Sequence, residues 1–250
     1  MTIKELECLY AAGEWSAELQ EQYLSDSRAG VQRLLRRWER ETQERARVEA
    51  LYQYEFLARE KGCTLVAGID EAGRGPLAGP VVVAAVILPL GLFLSHLNDS
   101  KKLSAAVREA LFSSIMESAV AVEIVSISEK VIDEKNIYQA TKQGMHEAVA
   151  ALRPQPQHVL LDAVPLRLPM SSSAIVHGDA KSASIAAASI AAKVTRDRLM
   201  LKYDEEYPQY GFKKHKGYGT AEHLEALRKY GPCPIHRRSF EPIRSMAAEH

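Results

Sequence analysis

Two short apolar runs, separated by a turn rich in glycine and proline, restrict the fold of this chain more than any other feature. Residues 64–70 read TLVAGID and residues 80–88 read PVVVAAVIL. Both runs are short, rich in β-branched residues and bounded by Gly or Pro, which predicts two buried strands. Further strands are predicted at 121–128, 158–163 and 174–179. With helices between and after the strands, the pattern predicts an α/β fold with a mixed sheet flanked by helices.

The predicted helices lie between the later strands and throughout the C-terminal part. Ser104 is predicted to cap a helix that runs to about Ser118, between the second and third strands. One helix is predicted from Ser128 or Asp133 to just before Pro154. Residues 182–207 are Ala-rich and uninterrupted, which favours a long helix, and a further helix is predicted over 221–230.

The first 61 residues contain no strand-like run. Gly13 and Gly30 are each predicted to mark a break between helical stretches, and the stretch 31–60 has apolar residues at mainly helical spacing. The sequence therefore predicts a helical N-terminal extension over 1–61 and a second domain over 62–250.

Composition excludes several classes of protein. Lys and Arg together number 32, as do Asp and Glu, so net charge gives no argument for nucleic-acid binding. Three widely separated cysteines indicate neither a disulfide framework nor a zinc site of the CxxC type. The N-terminus lacks the features of a signal peptide, and the longest apolar run, 80–89, is too short to span a bilayer as a helix. We expect a soluble, cytoplasmic protein.

Two local basic segments remain of interest. Five arginines lie between Arg28 and Arg40 against one acid, and residues 213–218 read KKHKGY. A solvated face is the commoner explanation of such a run, unless it lies beside a catalytic site.

Four acidic residues follow or end predicted strands: Asp70, Glu71, Asp162 and Asp179. Taken singly, each is more often an acidic turn or a cap. Strands that each deliver an acid at one end are nevertheless what a carboxylate cluster at a sheet edge requires. Because buried like charges repel, such a cluster favours divalent cations, and ligation by oxygen alone favours Mg²⁺ or Mn²⁺. A two-metal site of this kind hydrolyses phosphodiesters without a nucleophilic side chain.

The segment after the first acid pair is a turn with a basic centre. Gly73, Arg74 and Gly75 formally begin a G-x-G-x-x-A dinucleotide fingerprint, but Pro76 and the strand after it exclude the helix that this fingerprint needs. Two glycines around an arginine let the backbone approach a sugar-phosphate closely. A plain Gly-rich hairpin explains the segment equally well.

Five motifs together resemble the successive signature blocks of bacterial ribonuclease HII (RNase HII). They are GIDEAGRGPLAGPVVVAAVIL, DSKKLS (99–104), LLDA, HGDAKSASIAAASIAAKVTRD (177–197) and HKGYGT (215–220), in the family's order from about Leu65 to the C-terminus. The resemblance implies an RNase H-like fold, with a mixed five-stranded sheet, flanking helices and a helical C-terminal portion. It does not extend to the N-terminal extension, which only part of the family has.

The resemblance also assigns functional residues. The family's four catalytic and metal-binding acids fall on Asp70, Glu71, Asp162 and Asp179. Its GRG motif, which contacts the 2′-hydroxyl and flanking phosphates of a ribonucleotide, falls on Gly73, Arg74 and Gly75. Its junction-sensing tyrosine, whose ring packs on the next sugar, falls on Tyr218; without the resemblance, an ordinary loop aromatic would be the better interpretation. Further candidate substrate contacts are Ser100, Lys101, Lys181, Ser184, Lys213, Lys214 and Lys216.

The implied activity is an endoribonuclease that hydrolyses the RNA strand of RNA/DNA hybrids and nicks on the 5′ side of ribonucleotides embedded in duplex DNA. Two Mn²⁺ or Mg²⁺ ions would assist, and the products would carry 3′-hydroxyl and 5′-phosphate ends. The expected partners are these nucleic acids and no membrane, and the expected state is a monomer. Two alternatives are RNase HIII, against which the intact GRG and KGY motifs argue, and a catalytically inactive hybrid-binding protein.

Two features depart from the family pattern or lie outside it. Ala163 follows Asp162 where many relatives have glycine, and we expect it to be tolerated because the carboxylate is retained. The arginines of residues 28–40 suggest that the N-terminal extension adds affinity for the duplex.

Overall fold

The helices and strands were obtained from a computed structural model, which describes residues 1–162 and 164–248. Ala163 and its predicted tolerance lie outside the described residues. The helices are α1 (Ile3–Ala11), α2 (Ala17–Gln22), α3 (Ala29–Ala50), α4 (Gln53–Glu60), α5 (Ala105–Ser118), α6 (Glu129–Lys135), α7 (Ile137–Ala151), α8 (Ala183–Glu206), α9 (Phe212–His215), α10 (Ala221–Tyr230) and α11 (Ile243–Ala248). The strands are β1 (Val66–Ala72), β2 (Val81–Ile87), β3 (Ala121–Ile127), β4 (His158–Asp162) and β5 (Ser171–Ile175).

The strands form one mixed five-stranded sheet, as predicted. Their order is β3-β2-β1-β4-β5. The pairs β1–β2 and β2–β3 are antiparallel, whereas β1–β4 and β4–β5 are parallel. The parallel arrangement places the C-terminal ends of β1, β4 and β5 at the same edge of the sheet, where the acids were predicted to meet.

Different helices cover the two faces of the sheet. On one face, Ile69 of β1 packs with Met145 of α7 in an apolar core. On the other face, α8 packs along β1 and β2. This approach is so close that a Cβ on Gly68 would lie 2.1 Å from the backbone carbonyl carbon of Ser184. Because side chains alternate along a strand, Asp70 points to the same face as Gly68, towards α8.

Contacts between residues divide the chain into two compact units, Met1–Glu49 and a second that begins at Ala50. The first unit has its own apolar cluster, in which Leu6, Trp15 and Val31 are buried. Helix α4 belongs to the second unit. None of the helices in the described part of the chain combines the length and apolar character that a membrane span requires.

The predicted boundaries of two strands were wrong. β1 continues to Ala72, so Asp70 and Glu71 lie within the strand. The last strand is Ser171–Ile175 instead of 174–179, because its polar residues pair with β4 through the backbone at an exposed edge.

The helical errors have local causes. The helix predicted after β3 is two helices, broken at Asn136, whose φ is 70° and whose side chain caps α7. Gly30 lies inside α3 rather than at a break, since one glycine costs a helix only about 1 kcal/mol. The stretch 31–60 is interrupted between α3 and α4.

Candidate active site

Three carboxylates meet at one edge of the sheet. One oxygen from each of Asp70, Asp162 and Asp179 lies within 4.8 Å of the other two. We call these residues the acid triplet. Asp70 is in β1, Asp162 ends the neighbouring strand β4, and Asp179 lies in a 3-10 helix, Gly178–Ala180, after β5. Asp70 and Asp179 are each only 5% exposed.

Asp162 holds the turn that carries Asp179. The backbone N–H of Gly178 donates a hydrogen bond of 2.8 Å to Oδ1 of Asp162. The chain reaches this turn through His177, which has a left-handed backbone with φ 57°. The position of Asp179 therefore depends on a contact with Asp162 of β4, and Asp179 does not lie at the end of β5 itself.

Burial leaves the triplet poorly balanced in charge. Burial, followed by the charge of Glu71, raises the pKa of Asp70 well above its ordinary value. Burial, followed by the charges of Asp99 and Asp162, also raises the pKa of Asp179. Lys101 supplies positive charge at the rim, with its Nζ 3.6 Å from an oxygen of Asp179. A divalent cation among these oxygens would relieve the repulsion, and oxygen ligands suit Mg²⁺ or Mn²⁺.

Glu71 stands beside the triplet but is not one of its members. It follows Asp70 in the same strand, and successive side chains of a strand point to opposite faces. Its Oε1 accepts a hydrogen bond of 3.2 Å from Arg74, while its Oε2 is buried with no hydrogen-bond partner among the described residues. Burial raises the pKa of Glu71, although the charge of Arg74 opposes this. An unpartnered buried oxygen is the kind of atom that a cation or its bound water satisfies.

A cleft of about 210 Å³ adjoins the acids. Its lining includes Asp70 and Glu71, all three residues of the GRG motif, Lys101 and Tyr218. The Tyr218 side chain is 48% exposed, and its Cε1 would lie 3.6 Å from a Cβ placed on Gly75. The GRG motif and the tyrosine, predicted from segments far apart in the sequence, therefore flank the same opening.

Two buried arginines that were not among the predicted site residues hold the loops around this cleft. We call Arg196 and Arg237 the arginine pair. Arg196 of α8 donates to the backbone carbonyls of Ala78 and Pro80, each at 3.1 Å, and of Lys216 at 3.0 Å.

The second member of the pair holds the GRG turn directly. Arg237 donates hydrogen bonds of 2.9 Å to the carbonyls of Arg74 and Gly79, and a further bond to the carbonyl of Gly73. Gly73 has φ 97°, and a Cβ there would lie 2.0 Å from Nε of Arg196. Glycine is therefore required at this position both by the backbone conformation and by the lack of space.

A helical spacing could have indicated Arg196. Ser189, Lys193 and Arg196 stand four and three residues apart on α8, which places them on one face, and all three line the cleft. No comparable sequence signal marks Arg237.

The other predicted substrate contacts lie in varied surroundings. Ser100 is buried beside the cleft, and its Oγ is 2.9 Å from Oγ of Ser189. Ser184 is 1% exposed, and its backbone N–H donates to the buried carboxylate of Glu55 at 2.9 Å. This burial argues against a phosphate contact by Ser184.

The predicted lysines mostly have partners within the protein. Lys181 donates to the carbonyl of Val176 at 2.9 Å. Lys214 is paired with Glu222 at 2.8 Å, and Lys213 lies 3.8 Å from Asp204. Lys216 donates to the carbonyl of Lys213. These exposed pairs are weak, so a phosphate could displace them.

A model of the ribonuclease HII family matches residues 67–243, which include the acid triplet, the GRG motif and Tyr218. The chain belongs to the ribonuclease HII family. A model of the ribonuclease HII N-terminal domain matches residues 2–59. Ribonuclease HII of Geobacillus thermodenitrificans (strain NG80-2) is 53% identical over 248 residues, covering 97% of this chain and 96% of the relative. Ribonuclease HII of Bacillus cereus (strain B4264) is 52% identical over 227 residues, covering 89% and 88% of the two chains.

Solved structures agree with the family assignment. Ribonuclease H2 of Pyrococcus horikoshii OT3 superposes with a TM-score of 0.64 at 30% identity, covering 74% of this chain and 98% of that one. Bst RNase HIII, solved in complex with Mn²⁺, shares the fold with a TM-score of 0.58 at 18% identity, covering 74% and 70%. The predicted RNase H-like fold is confirmed, and the chain is a hydrolase of the ribonuclease HII type that acts on nucleic acid. The high identity to ribonuclease HII argues against the RNase HIII alternative.

Proposed function

We propose that this protein hydrolyses the RNA strand of RNA/DNA hybrids and nicks duplex DNA on the 5′ side of an embedded ribonucleotide, leaving 3′-hydroxyl and 5′-phosphate ends. The observation that carries the proposal is the meeting of Asp70, Asp162 and Asp179 beside a cleft that is also lined by the GRG motif and Tyr218. The names of its relatives support the same class of reaction.

Asp70, Glu71, Asp162 and Asp179 are proposed to bind two Mg²⁺ or Mn²⁺ ions, with Asp70 as the shared ligand. Divalent ions bound there would stabilise charge on the scissile phosphate and lower the pKa of the attacking water. The protein itself keeps the carboxylates in place: the Gly178 N–H orients Asp162, and α8 closes over Asp70. The raised pKa values of Asp70 and Asp179 and the unpartnered Oε2 of Glu71 support this assignment.

Substrate selection is assigned to the other side of the cleft. Gly73 and Gly75 let the backbone approach the sugar closely, and the guanidinium of Arg74 is available to a flanking phosphate. The 2′-hydroxyl is the group that distinguishes RNA from DNA at a single nucleotide. The half-exposed ring of Tyr218 is proposed to pack against the next sugar and to disfavour a 2′-hydroxyl there.

Further phosphate contacts are proposed to lie along the path of the duplex. They are assigned to Lys101, Lys181, Lys214 and Lys216, with Ser100 beside the cleft. The enzyme is proposed to act as a cytoplasmic monomer, with residues 1–61 as an accessory to duplex binding.

The decisive variant is Asp70→Asn. It removes a charge that both proposed ions share, so we expect cleavage to fall by more than about 100-fold, beyond the usual cost of losing a group that only supports a metal ligand. Folding and hybrid binding should be largely retained. Single-turnover cleavage and fluorescence anisotropy with a labelled hybrid measure the two effects, and full turnover in Mg²⁺ would refute the assignment.

The substrate is tested by comparing a duplex that carries one ribonucleotide with an all-RNA hybrid, each in Mg²⁺ and in Mn²⁺. We expect cleavage of both, with the single-ribonucleotide duplex cut on the 5′ side of the ribonucleotide. Binding of both substrates without cleavage in either ion would favour a catalytically inactive hybrid-binding protein instead.

A further inference from the structure

A chain of hydrogen bonds between buried side chains ends at the backbone of Tyr218. Nδ1 of His223 is 2.9 Å from the Tyr218 carbonyl oxygen. Nε2 of His223 is 3.0 Å from Nε2 of His236, and Nδ1 of His236 accepts from the Cys233 backbone N–H at 2.9 Å. His223 is fully buried and His236 is 2% exposed. None of these three residues lines the cleft.

The partners determine which nitrogen carries each proton. A carbonyl oxygen only accepts, so Nδ1 of His223 must donate to Tyr218, and Nε2 of a neutral His223 is then an acceptor. Because Nε2 of His223 accepts, Nε2 of His236 must donate to it, so Nδ1 of His236 accepts from the Cys233 N–H and its longer contact of 3.3 Å with the Cys233 carbonyl is not a hydrogen bond. Both rings are therefore neutral and all four ring nitrogens are satisfied. Consistent with this, burial lowers the pKa of each of the two histidines to about 4.

This assignment excludes a metal site at the same residues. Every imidazole nitrogen of His223 and His236 already has a protein partner, so neither has a lone pair to offer. Burial raises the pKa of the Cys233 thiol to about 11, which keeps it protonated rather than a thiolate ligand. The hydrogen bonds form a relay in which each donor points the same way, from Cys233 through His236 and His223 to the Tyr218 carbonyl.

Each of the three backbone carbonyls of the loop at residues 216–218 accepts a hydrogen bond. Arg196 donates to the Lys216 carbonyl at 3.0 Å, and the Leu77 N–H donates to the Gly217 carbonyl at 2.8 Å. The Tyr218 carbonyl accepts from His223 and from the Thr220 N–H at 2.8 Å. Hydrogen bonds to other segments of the protein therefore restrict the backbone that carries the exposed Tyr218 ring.

We propose that His223, oriented by His236, is a positioning residue for Tyr218 and so contributes to the preference of the enzyme for a ribonucleotide followed by a deoxyribonucleotide. The inference rests on the proposed function, since it needs Tyr218 to contact the substrate. His223 itself does not touch the nucleic acid. A residue that only filled the core would affect stability, whereas a positioning residue also changes the choice of substrate.

Two amide variants separate these roles. In His223→Asn the amide nitrogen occupies the place of Nδ1, so the donor to Tyr218 is kept and the acceptor for His236 is lost. In His223→Gln the amide occupies the place of Nε2, so the link to His236 is kept and the donor to Tyr218 is lost. Each variant breaks one hydrogen bond of the relay, which makes them matched controls for stability.

The measurement is the ratio of kcat/KM for a single-ribonucleotide duplex to kcat/KM for an all-RNA hybrid, with thermal unfolding in parallel. We expect His223→Gln to lower the ratio by about tenfold, the equivalent of one hydrogen bond, while His223→Asn stays close to the wild type. An equal fall in both variants, or no fall in His223→Gln, would overturn the proposal. If His223→Gln does not fold, His223→Leu replaces it, because it also lacks the donor to Tyr218: the ratio should fall again, and an unchanged ratio overturns the proposal.

Tyr218→Ala distinguishes failure of this inference from failure of the proposed function. If Tyr218→Ala loses the preference but His223→Gln keeps it, the role of Tyr218 stands and the positioning role of His223 is wrong. If Tyr218→Ala keeps the preference, the proposed role of Tyr218 fails and the inference falls with it.

Discussion

The acid triplet and the arginine pair are both charged groups almost removed from water, yet their surroundings differ in kind. Arg196 and Arg237 are 1% and 0% exposed, and each donates to three backbone carbonyls. Asp70 and Asp179 are nearly as buried, but like charges surround them and raise their pKa values, with burial as the largest cause.

This difference separates structural charge from functional charge. A guanidinium whose hydrogen bonds are satisfied by carbonyls stabilises the loops that it joins, and it stays protonated even though burial lowers its pKa. Buried carboxylates crowded together without enough positive charge destabilise the protein until a cation binds. The comparison therefore predicts opposite effects on stability when a member of each group is neutralised.

The largest effect on stability is expected for Arg237→Met. The substitution leaves three buried carbonyls without their donor, at about 1–3 kcal/mol each, so the free energy of unfolding should fall by at least about 3 kcal/mol. Urea unfolding measures this, with the exposed neighbour Arg238→Met as control, expected to stay within about 0.5 kcal/mol of the wild type. In the presence of a chelator, Asp70→Asn should leave the free energy of unfolding unchanged or raise it. A free energy of unfolding for Arg237→Met close to that of the wild type would contradict the structural role assigned to the arginine pair.

Removal of divalent cations is expected to have the next largest effect. Without cations, folding raises the pKa of Asp70, Glu71 and Asp179. The protonated carboxyls therefore contribute their full stability to the folded protein only below the ordinary carboxyl pKa of about 4. This contribution is lost as the pH rises through the raised values. At neutral pH, Mg²⁺ or Mn²⁺ at 100 times its Kd should restore about 2.7 kcal/mol.

Thermal unfolding from pH 4 to pH 8, in chelator and in saturating cation, tests this prediction. The stabilisation by cation should grow with pH in the wild type and be much smaller in Asp70→Asn. Equal stabilisation of the two proteins by cation would show that the ions bind elsewhere.

Arg74→Gln examines a residue that lies between the two groups. Its guanidinium is 3.2 Å from Glu71 and its side chain is 42% exposed. Part of its charge is therefore compensated by Glu71, while other N–H donors remain available to a phosphate. Loss of one charged hydrogen bond to phosphate should raise KM for the hybrid by about tenfold, with little change in the free energy of unfolding. Steady-state kinetics provide the measurement, and Arg228→Gln on the exposed side of α10 is the control. An unchanged KM would remove Arg74 from the proposed contacts.

The smallest effect is expected from the N-terminal arginines. Arg33, Arg36 and Arg40 are exposed on α3, and Arg33 is already 3.4 Å from Glu7. If they bind phosphates, changing all three to Gln should lower the slope of log K against log salt by about 0.9 for each phosphate that is no longer neutralised. Hybrid binding at several salt concentrations measures the slope, and an unchanged slope would contradict a role in duplex binding.

Local patterns predicted much of the fold but not its exact boundaries. β2 and α8 were predicted almost to the residue, because a β-branched run and an Ala-rich run each favour one conformation strongly. The last strand was misplaced by about three residues. Its hydrogen bonds go to β4, so polar residues that do not look strand-like form the strand.

Only part of the candidate site was evident before the structure. The acids and the GRG motif stand in segments with a recognisable pattern. Arg237 and His223 do not, because their partners are backbone carbonyls that any residue type can provide. Glu55 of α4 accepts hydrogen bonds from Ser182 and Ser184 at the start of α8. A truncation that removes the N-terminal unit should therefore leave α4 intact.

The sequence by itself determined the family, the class of fold and the segments that carry the acids, since these depend on residue types and their spacing along short segments. Only the tertiary structure decided which acids meet at one edge of the sheet, why Glu71 is not among them, and which arginines and histidines hydrogen-bond to the loops of the cleft. These arrangements join residues up to 164 positions apart. Their energies come from burial and from hydrogen-bond partners, which exist only after the chain has folded.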